Sequence, residues 1–216
     1  SLFFAWPVAA EDNEAIGSGQ LDGKGIPPNF FGDLDVRKAF NYTQNYEVLL
    51  EQIQLGRTVQ LRGPTVNGIM GYRPDSPVYS FDAEKATEHF KAAFDGKLWD
   101  VGFEMTAYFQ EGTDEAAGAL AVLQQNLARL NPKFRLKTQS LTSAALREKT
   151  RGLPNPQSPM TYMGWGPDYS DPGGPLGAAS YYLASTGLVA GFSGDGYRAL
   201  LEENFDPLLE EAWAMN

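Results

Sequence analysis

Residues 101–141 constrain the fold more than any other stretch of the chain. Val101, Phe103, Met105, Ala107 and Phe109 alternate with Gly102, Glu104, Thr106 and Tyr108, the two-residue period of a strand with one face toward a core. Glu111-Gly112-Thr113-Asp114 then makes a turn. Behind it Leu120, Leu123, Leu127 and Leu130 recur at helical spacing until Asn131-Pro132 ends the helix. Phe134–Leu141 reads as a second strand. Parallel strands need a connection of a dozen or more residues, so this order predicts a parallel pair joined by a right-handed crossover. The expected fold class is α/β (α+β), with a mixed β-sheet flanked by helices.

The remaining elements fit around that unit as a single domain over 1–216. The start, Ser1 to Ala10, is apolar but lacks an initiator Met and a basic n-region, so it reads as a strand inherited from a longer chain. Residues 1–34 form a loop-rich leading segment. Asp35 is the expected N-cap of a first helix carrying Val36, Ala39, Phe40 and Thr43, and Asn45 that of a second helix from Tyr46 to Ile53, stopped at Gly56. Residues 57–80 are rich in Gly and Pro and read as a long loop, the kind that serves function or packs on a neighbour. Asp82 caps a helix with Ala86, Phe90, Ala93 and Phe94 on one face. Thr142 or Ser143 caps another to Lys149, and Met160–Trp165 reads as a short strand. A last pair of helices is expected from Tyr197 towards Phe205 and after Asp206.

Charge and composition exclude several classes. A net charge of −10 over 216 residues argues against nucleic acid and against anionic membrane surfaces, both of which need clustered Lys and Arg. The absence of Cys removes disulfides, thiolate nucleophiles and sulfur-based zinc sites. The single histidine, His89, has no second His and no Ser or Cys motif beside it, so it reads as a helix-flank residue rather than a catalyst or ligand. Gly17-Ser18-Gly19 and Asp22–Gly25 match neither a dinucleotide fingerprint nor a phosphate loop and read as structural turns. No cofactor or metal site is expected, and no catalytic residue is assigned.

The segment richest in chemistry is Tyr162 to Gly174, where a strand hands over to a loop dense in aromatics and carboxylates. Trp165 and Tyr169 are suited to wall a pocket, and Asp168 offers a carboxylate to an ammonium group. The same residues also suit a structural role, with Asp168 and Asp171 making Asx turns and Trp165 in the core. Two alternatives stay open beside a ligand-binding pocket. One is a carboxylate-pair hydrolase such as a glycosidase built on Asp168 and Asp171. The other is an interaction module that docks through loop 57–80.

Phe31-Gly-Asp33-Leu-Asp35-Val36-Arg37-Lys38-Ala39-Phe40-Asn41-Tyr42, then Tyr79-x-Phe81-Asp82-x-Glu84-Lys85-Ala86, then Gly164-Trp165-x-x-Asp168-Tyr169-x-Asp171-Pro172 follow one another along the chain. In that order they resemble the C-terminal lobe of the oligopeptide- and dipeptide-type solute-binding proteins of ABC importers. The resemblance implies one lobe of a two-lobed periplasmic-binding-protein-like fold. It implies a non-catalytic role in capturing short peptides or a similar small solute in the cleft between lobes. The implied partners are the ABC permease subunits and a missing N-terminal lobe of the same protein. The implied location is periplasmic or extracellular, with a lipid anchor on the full-length protein left open. The resemblance assigns Asp168 to the ligand's free α-amino group and Trp165 to the cavity wall. Arg37 is expected to pack or pair structurally, with Asp33 as a partner. The sequence departs from the family at Asn45, where Asp is common, and at Gly112-Thr113-Asp114-Glu115-Ala116, which lacks the usual Arg. Nickel complexes and sugars are also bound within this class, so the ligand type is less constrained than the fold.

Overall fold

The computed structural model describes residues 2–62, 67–68, 72–151, 155–164, 199, 202–204, 207–208 and 211. Its frame is a four-stranded mixed sheet in the order β1-β4-β2-β3, with β1 Leu2–Phe4, β2 Phe103–Gln110, β3 Phe134–Leu141 and β4 Met160–Tyr162. Strands β2 and β3 pair in parallel from Phe103↔Phe134 to Gln110↔Leu141. The connection between them is α4, Asp114–Leu130, as the strand–helix–strand pattern requires. Strand β4 lies parallel on the other side of β2, and β1 closes the sheet antiparallel to β4 with Leu2 opposite Tyr162. Beyond β1 the chain keeps running along the segment before β4: Ala5 N donates to Pro159 O at 3.0 Å and Ala9 N to Pro156 O at 2.8 Å. Asn13 Nδ2 adds a bond to Gln157 O at 2.8 Å.

Helices α1 Leu34–Thr43, α2 Ala83–Ala92, α3 Lys97–Val101 and α5 Ser143–Thr150 complete the frame, together with a π-helix over Val48–Ile53. The core between sheet and helices is aromatic. Phe30, Phe31, Phe40, Phe90, Phe103 and Phe134 are each fully buried. Phe103 stacks on Phe134 at 4.9 Å between ring centres, and Phe90 tilts against Phe134 at 4.6 Å. Each such ring removes a large apolar area from water, worth about 2–3 kcal/mol.

Three details differ from the sequence reading. The N-cap of α1 is Asp33 and not Asp35: Asp33 Oδ1 accepts from Asp35 N at 2.8 Å and Val36 N at 3.4 Å, while Oδ2 accepts from Phe94 N at 2.8 Å. Asp33 thus joins the start of α1 to the turn after α2. The alternation places the first strand from Val101, yet Val101 ends α3 and the strand starts at Phe103. Gly102 separates them at φ 79°, and a Cβ there would meet Lys133 Cβ at 2.4 Å, so only glycine fits. The expected strand Met160–Trp165 stops at Tyr162. The cap of α5 resolves to Thr142, whose side chain accepts from Ala145 N at 3.2 Å. The cap at Asp82 holds as expected, accepting from Lys85 N at 3.0 Å. The helices expected after Tyr197 fall largely outside the described residues.

Candidate functional site

The helix expected after Asn45 forms in place but is wound wider than an α-helix. Asn45 Oδ1 accepts from Val48 N at 3.1 Å, and Gln54 N reaches back five residues to Leu49 O at 2.9 Å. Wide turns of this kind are rare and concentrate at functional sites. This one is held to α4 at Gly118, where an added Cβ would lie 3.1 Å from Ile53 Cδ1. Its other side, through Leu49 and Leu50, lines a cavity of about 600 Å³.

The cavity sits at the carboxyl end of β4, because Tyr162, the last residue of that strand, and its partner Leu2 in β1 both line it. Ligands of open α/β sheets bind outside the carboxyl ends of the parallel strands. The opposite wall comes from the long loop expected to be structureless. Residues 58–61 and 77–79 line the cavity without forming a strand or a helix. Side chains pin these two stretches together: Gln60 Nε2 donates to Tyr79 O at 2.7 Å and Arg62 donates to Ser76 O at 3.0 Å.

The lining is neutral and amphiphilic. Leu49, Leu50, Val59, Leu61 and Val78 supply apolar surface, Tyr46, Tyr79 and Tyr162 supply rings, and Asn41, Gln44, Gln54 and Gln60 supply amides. None of the described lining residues carries a charge. Burial pushes the Tyr46 phenol up to about 12, with Tyr79 adding to the shift, so it is protonated at any physiological pH. The Tyr46 hydroxyl donates to Asn41 Oδ1 at 3.3 Å. Burial also raises Tyr162, with the Glu115 charge adding to it. Gln44 is 3% exposed, and neither its side-chain oxygen nor its nitrogen has a hydrogen-bond partner. A buried polar group without a partner forfeits about 1–3 kcal/mol. Sequence reasoning passed over Gln44, which ends α1 as its C-cap in extended backbone just after the buried Thr43; the one hint in the sequence is that it falls four residues after Phe40.

Trp165, Asp168 and Tyr169, the residues proposed from sequence to bind ligand, lie outside the described residues, as does Asp171. In sequence they follow Tyr162, which lines the cavity, after three, six and seven residues. The other candidates have structural roles. Arg37 donates to the carbonyls of Phe31 and Gly32 and sits 4.4 Å over the Trp6 ring. Its side chain packs as expected, through these contacts rather than a side-chain bond to Asp33, whose carbonyl accepts only from the Arg37 backbone N–H. His89 Nδ1 lies 2.7 Å from Asp35 Oδ1, and its ring stacks on Tyr42, which ties α2 to α1. The turn at Gly17 is also structural: at φ 59° it pairs with Gly25, and a Cβ there would overlap Lys24 O. Among the described residues no group of three His, Cys, Asp or Glu could hold a metal, and no helix is long and apolar enough to cross a membrane.

The sequence profile described as bacterial extracellular solute-binding proteins, family 5, middle region, matches residues 16–185. The chain belongs to this family. Among curated relatives, the probable D,D-dipeptide-binding periplasmic protein DdpA of Escherichia coli is 25% identical over 138 residues, which is 64% of this chain and 25% of that protein. The glutathione-binding protein GsiB of Pectobacterium atrosepticum is 26% identical over 138 residues, 62% of this chain and 25% of that protein. The chain therefore spans about a quarter of the length of the curated relatives it matches. Among solved structures it resembles the periplasmic binding protein DppA of Helicobacter pylori in complex with the peptide STSA. That match has a TM-score of 0.62 and 24% identity, and covers 81% of this chain and 33% of that one. The substrate-binding protein CtaP of Listeria monocytogenes gives a TM-score of 0.63 at 16% identity, over 93% of this chain and 39% of that one. These likenesses show that the fold expected from sequence, a mixed sheet flanked by helices as in one lobe of a periplasmic binding protein, is the fold of this chain. The carboxylate-pair hydrolase finds no support in the family or in these relatives.

Proposed function

We propose that this chain is a ligand-binding lobe of a solute-binding protein that captures short peptides, or a similar small solute, for an ABC importer, without catalysis. The family match over residues 16–185 carries the reading. The neutral cavity at the carboxyl end of β4 supports it, because a wall of this kind suits half of an inter-lobe cleft. The names of the relatives point the same way: a probable D,D-dipeptide-binding protein, a glutathione-binding protein, and a periplasmic binding protein in complex with the peptide STSA. The partners on this reading are a second lobe of the same protein and the permease subunits, and the setting is periplasmic or extracellular, with lipid anchoring left to experiment.

Within this reading Asp168 accepts the ligand's α-amino group, with Trp165 and Tyr169 as neighbouring walls. A desolvated ammonium–carboxylate pair discriminates strongly, because losing either partner strands the other. The test is a titration with a short peptide, its N-acetylated twin and a disaccharide, followed by amide NMR. Preferential response to the free-amine peptide is expected. Asp168→Asn should weaken that peptide by about 2–5 kcal/mol and leave the N-acetylated twin unaffected. Equal affinity of wild type and variant would remove the amine-clamp role, and a response to the disaccharide only would replace peptide by sugar as the ligand class.

A further inference from the structure

Among the described residues, Gln44 presents a contradiction within an otherwise satisfied interior. Other buried amides are spoken for: Asn126 Nδ2 donates to Thr43 O at 3.0 Å, and Asn13 Nδ2 donates to Ala9 O and Gln157 O. Gln44 is adjacent to Thr43, is as deeply buried, lines the cavity, and has both side-chain polar atoms unpartnered. An amide in that state gains a donor and an acceptor partner without breaking any existing side-chain bond. The chemical group that satisfies both ends of a carboxamide at once is another amide, through reciprocal N–H to C=O bonds. A charged group is excluded on different grounds, since no described lining residue could neutralise it and an unpaired buried charge is far more unfavourable than an unpaired amide.

We propose that Gln44 is the polar anchor of a pocket for an uncharged carboxamide side chain of the ligand. On ligand arrival the side chain, with its three rotatable bonds, turns from its buried position onto that group. The apolar residues Leu49, Leu50 and Val78 then cover the rest of it. This selectivity rests on the solute-binding role proposed above and adds a preference that the amine contact at Asp168 does not supply. Asp168 would read the ligand's terminus, and Gln44 an uncharged group elsewhere on it.

The test uses two sizes of probe on isotope-labelled protein. Propionamide and propionate are compared as small probes, following the Gln44 side-chain amide resonances. Ala-Gln-Ala, Ala-Glu-Ala and Ala-Leu-Ala are compared as peptides. Propionamide and Ala-Gln-Ala should move the Gln44 resonances, and Ala-Glu-Ala should bind at least about tenfold more weakly than Ala-Gln-Ala. Gln44→Leu should hold or raise the thermal midpoint, because replacing an unsatisfied buried amide by an apolar group of similar size is neutral or stabilising. It should lose about tenfold in affinity for Ala-Gln-Ala relative to Ala-Leu-Ala. Gln44→Met, unbranched like Gln, is measured beside it so that a packing fault in one variant does not decide the outcome. An unchanged ratio of the two affinities in both variants overturns the anchor while leaving peptide binding intact, and so does Ala-Glu-Ala binding as tightly as Ala-Gln-Ala. If no peptide binds but propionamide still reaches Gln44, the amide pocket stands and the peptide reading falls. Silence from both sizes of probe overturns the pocket.

Discussion

Replacing Asp33 by Ala removes three hydrogen bonds through one carboxylate. Two of them cap α1, at Asp35 N and Val36 N, and the third holds Phe94 N. Loss of an N-cap is worth about 0.5–2 kcal/mol. Stranding the Phe94 N–H adds about 1–3 kcal/mol, because it loses its ionised acceptor. Phe94 also sits at φ 53°, a region that costs a bulky side chain about 1–2 kcal/mol and that needs outside support. Asp33→Ala should therefore lower stability by about 2–4 kcal/mol, since the two contributions share one carboxylate and do not add in full. Asp33→Asn keeps one acceptor oxygen and should lose about half as much. Asp35→Ala is the decisive control. Asp35 caps nothing and pairs with His89 at the surface, so its loss should stay within about 1 kcal/mol. Urea unfolding at pH 7, read as midpoint at constant slope, measures all three. A larger loss at Asp35 than at Asp33, or no loss at Asp33, would refute the capping assignment.

Gly102→Ala should destabilise by about 2 kcal/mol or more, since it combines a left-handed backbone with a Cβ placed 2.4 Å from Lys133 Cβ, and a thermal melt reads it directly. Glu104 yields a pH prediction. The hydrogen bond from Lys137 at 2.6 Å does most to hold its carboxyl below the ordinary value; burial opposes it, and Arg135 at 3.0 Å adds a lesser pull downward. A carboxyl lowered on folding stabilises above its unfolded pKa, and that contribution disappears as the pH falls through the lowered folded value. Glu104→Gln should therefore reduce stability at pH 7 by no more than about 1 kcal/mol, as the group is partly exposed, and the gap to wild type should narrow as the pH falls below the ordinary carboxylate range. A gap that does not narrow on acidification would show that Glu104 acts through packing.

The parallel unit β2-α4-β3 was legible in the sequence because its two periods and its stop signals all agree, from Phe103 through Leu127 to Pro132. The cap of α1 was misread because Asp33 and Asp35 are chemically alike and only their position relative to Phe94 separates them. The α3 turn was hidden because Val101 continues the alternation across Gly102. The cavity was invisible for a different reason. Its walls come from β1, α1, the π-helix, two loop stretches and β4, and its neutral amides and tyrosines match no motif. The signature residues after Tyr162 drew the sequence reading, whereas Gln44 announces itself only through burial without a partner.

The pairing of residues 2–4 with residues 160–162 has a kinetic consequence. Strands β2 and β3 can meet across one helix, but β1 joins the sheet only after a loop of more than 150 residues has closed. Closure over such a span is slow and comes late, because its entropy is lost before the contact repays it. Three residue pairs join β1 to β4, continued by the Ala5–Pro159 and Ala9–Pro156 bonds, and Leu2 and Tyr162, both lining the cavity, form the outermost pair. The cavity is therefore assembled at the end of folding. By the same reasoning it belongs to the part of the molecule that opens at the smallest free energy, and amide protons at Leu2 to Phe4 should exchange with solvent well before those of β2 and β3.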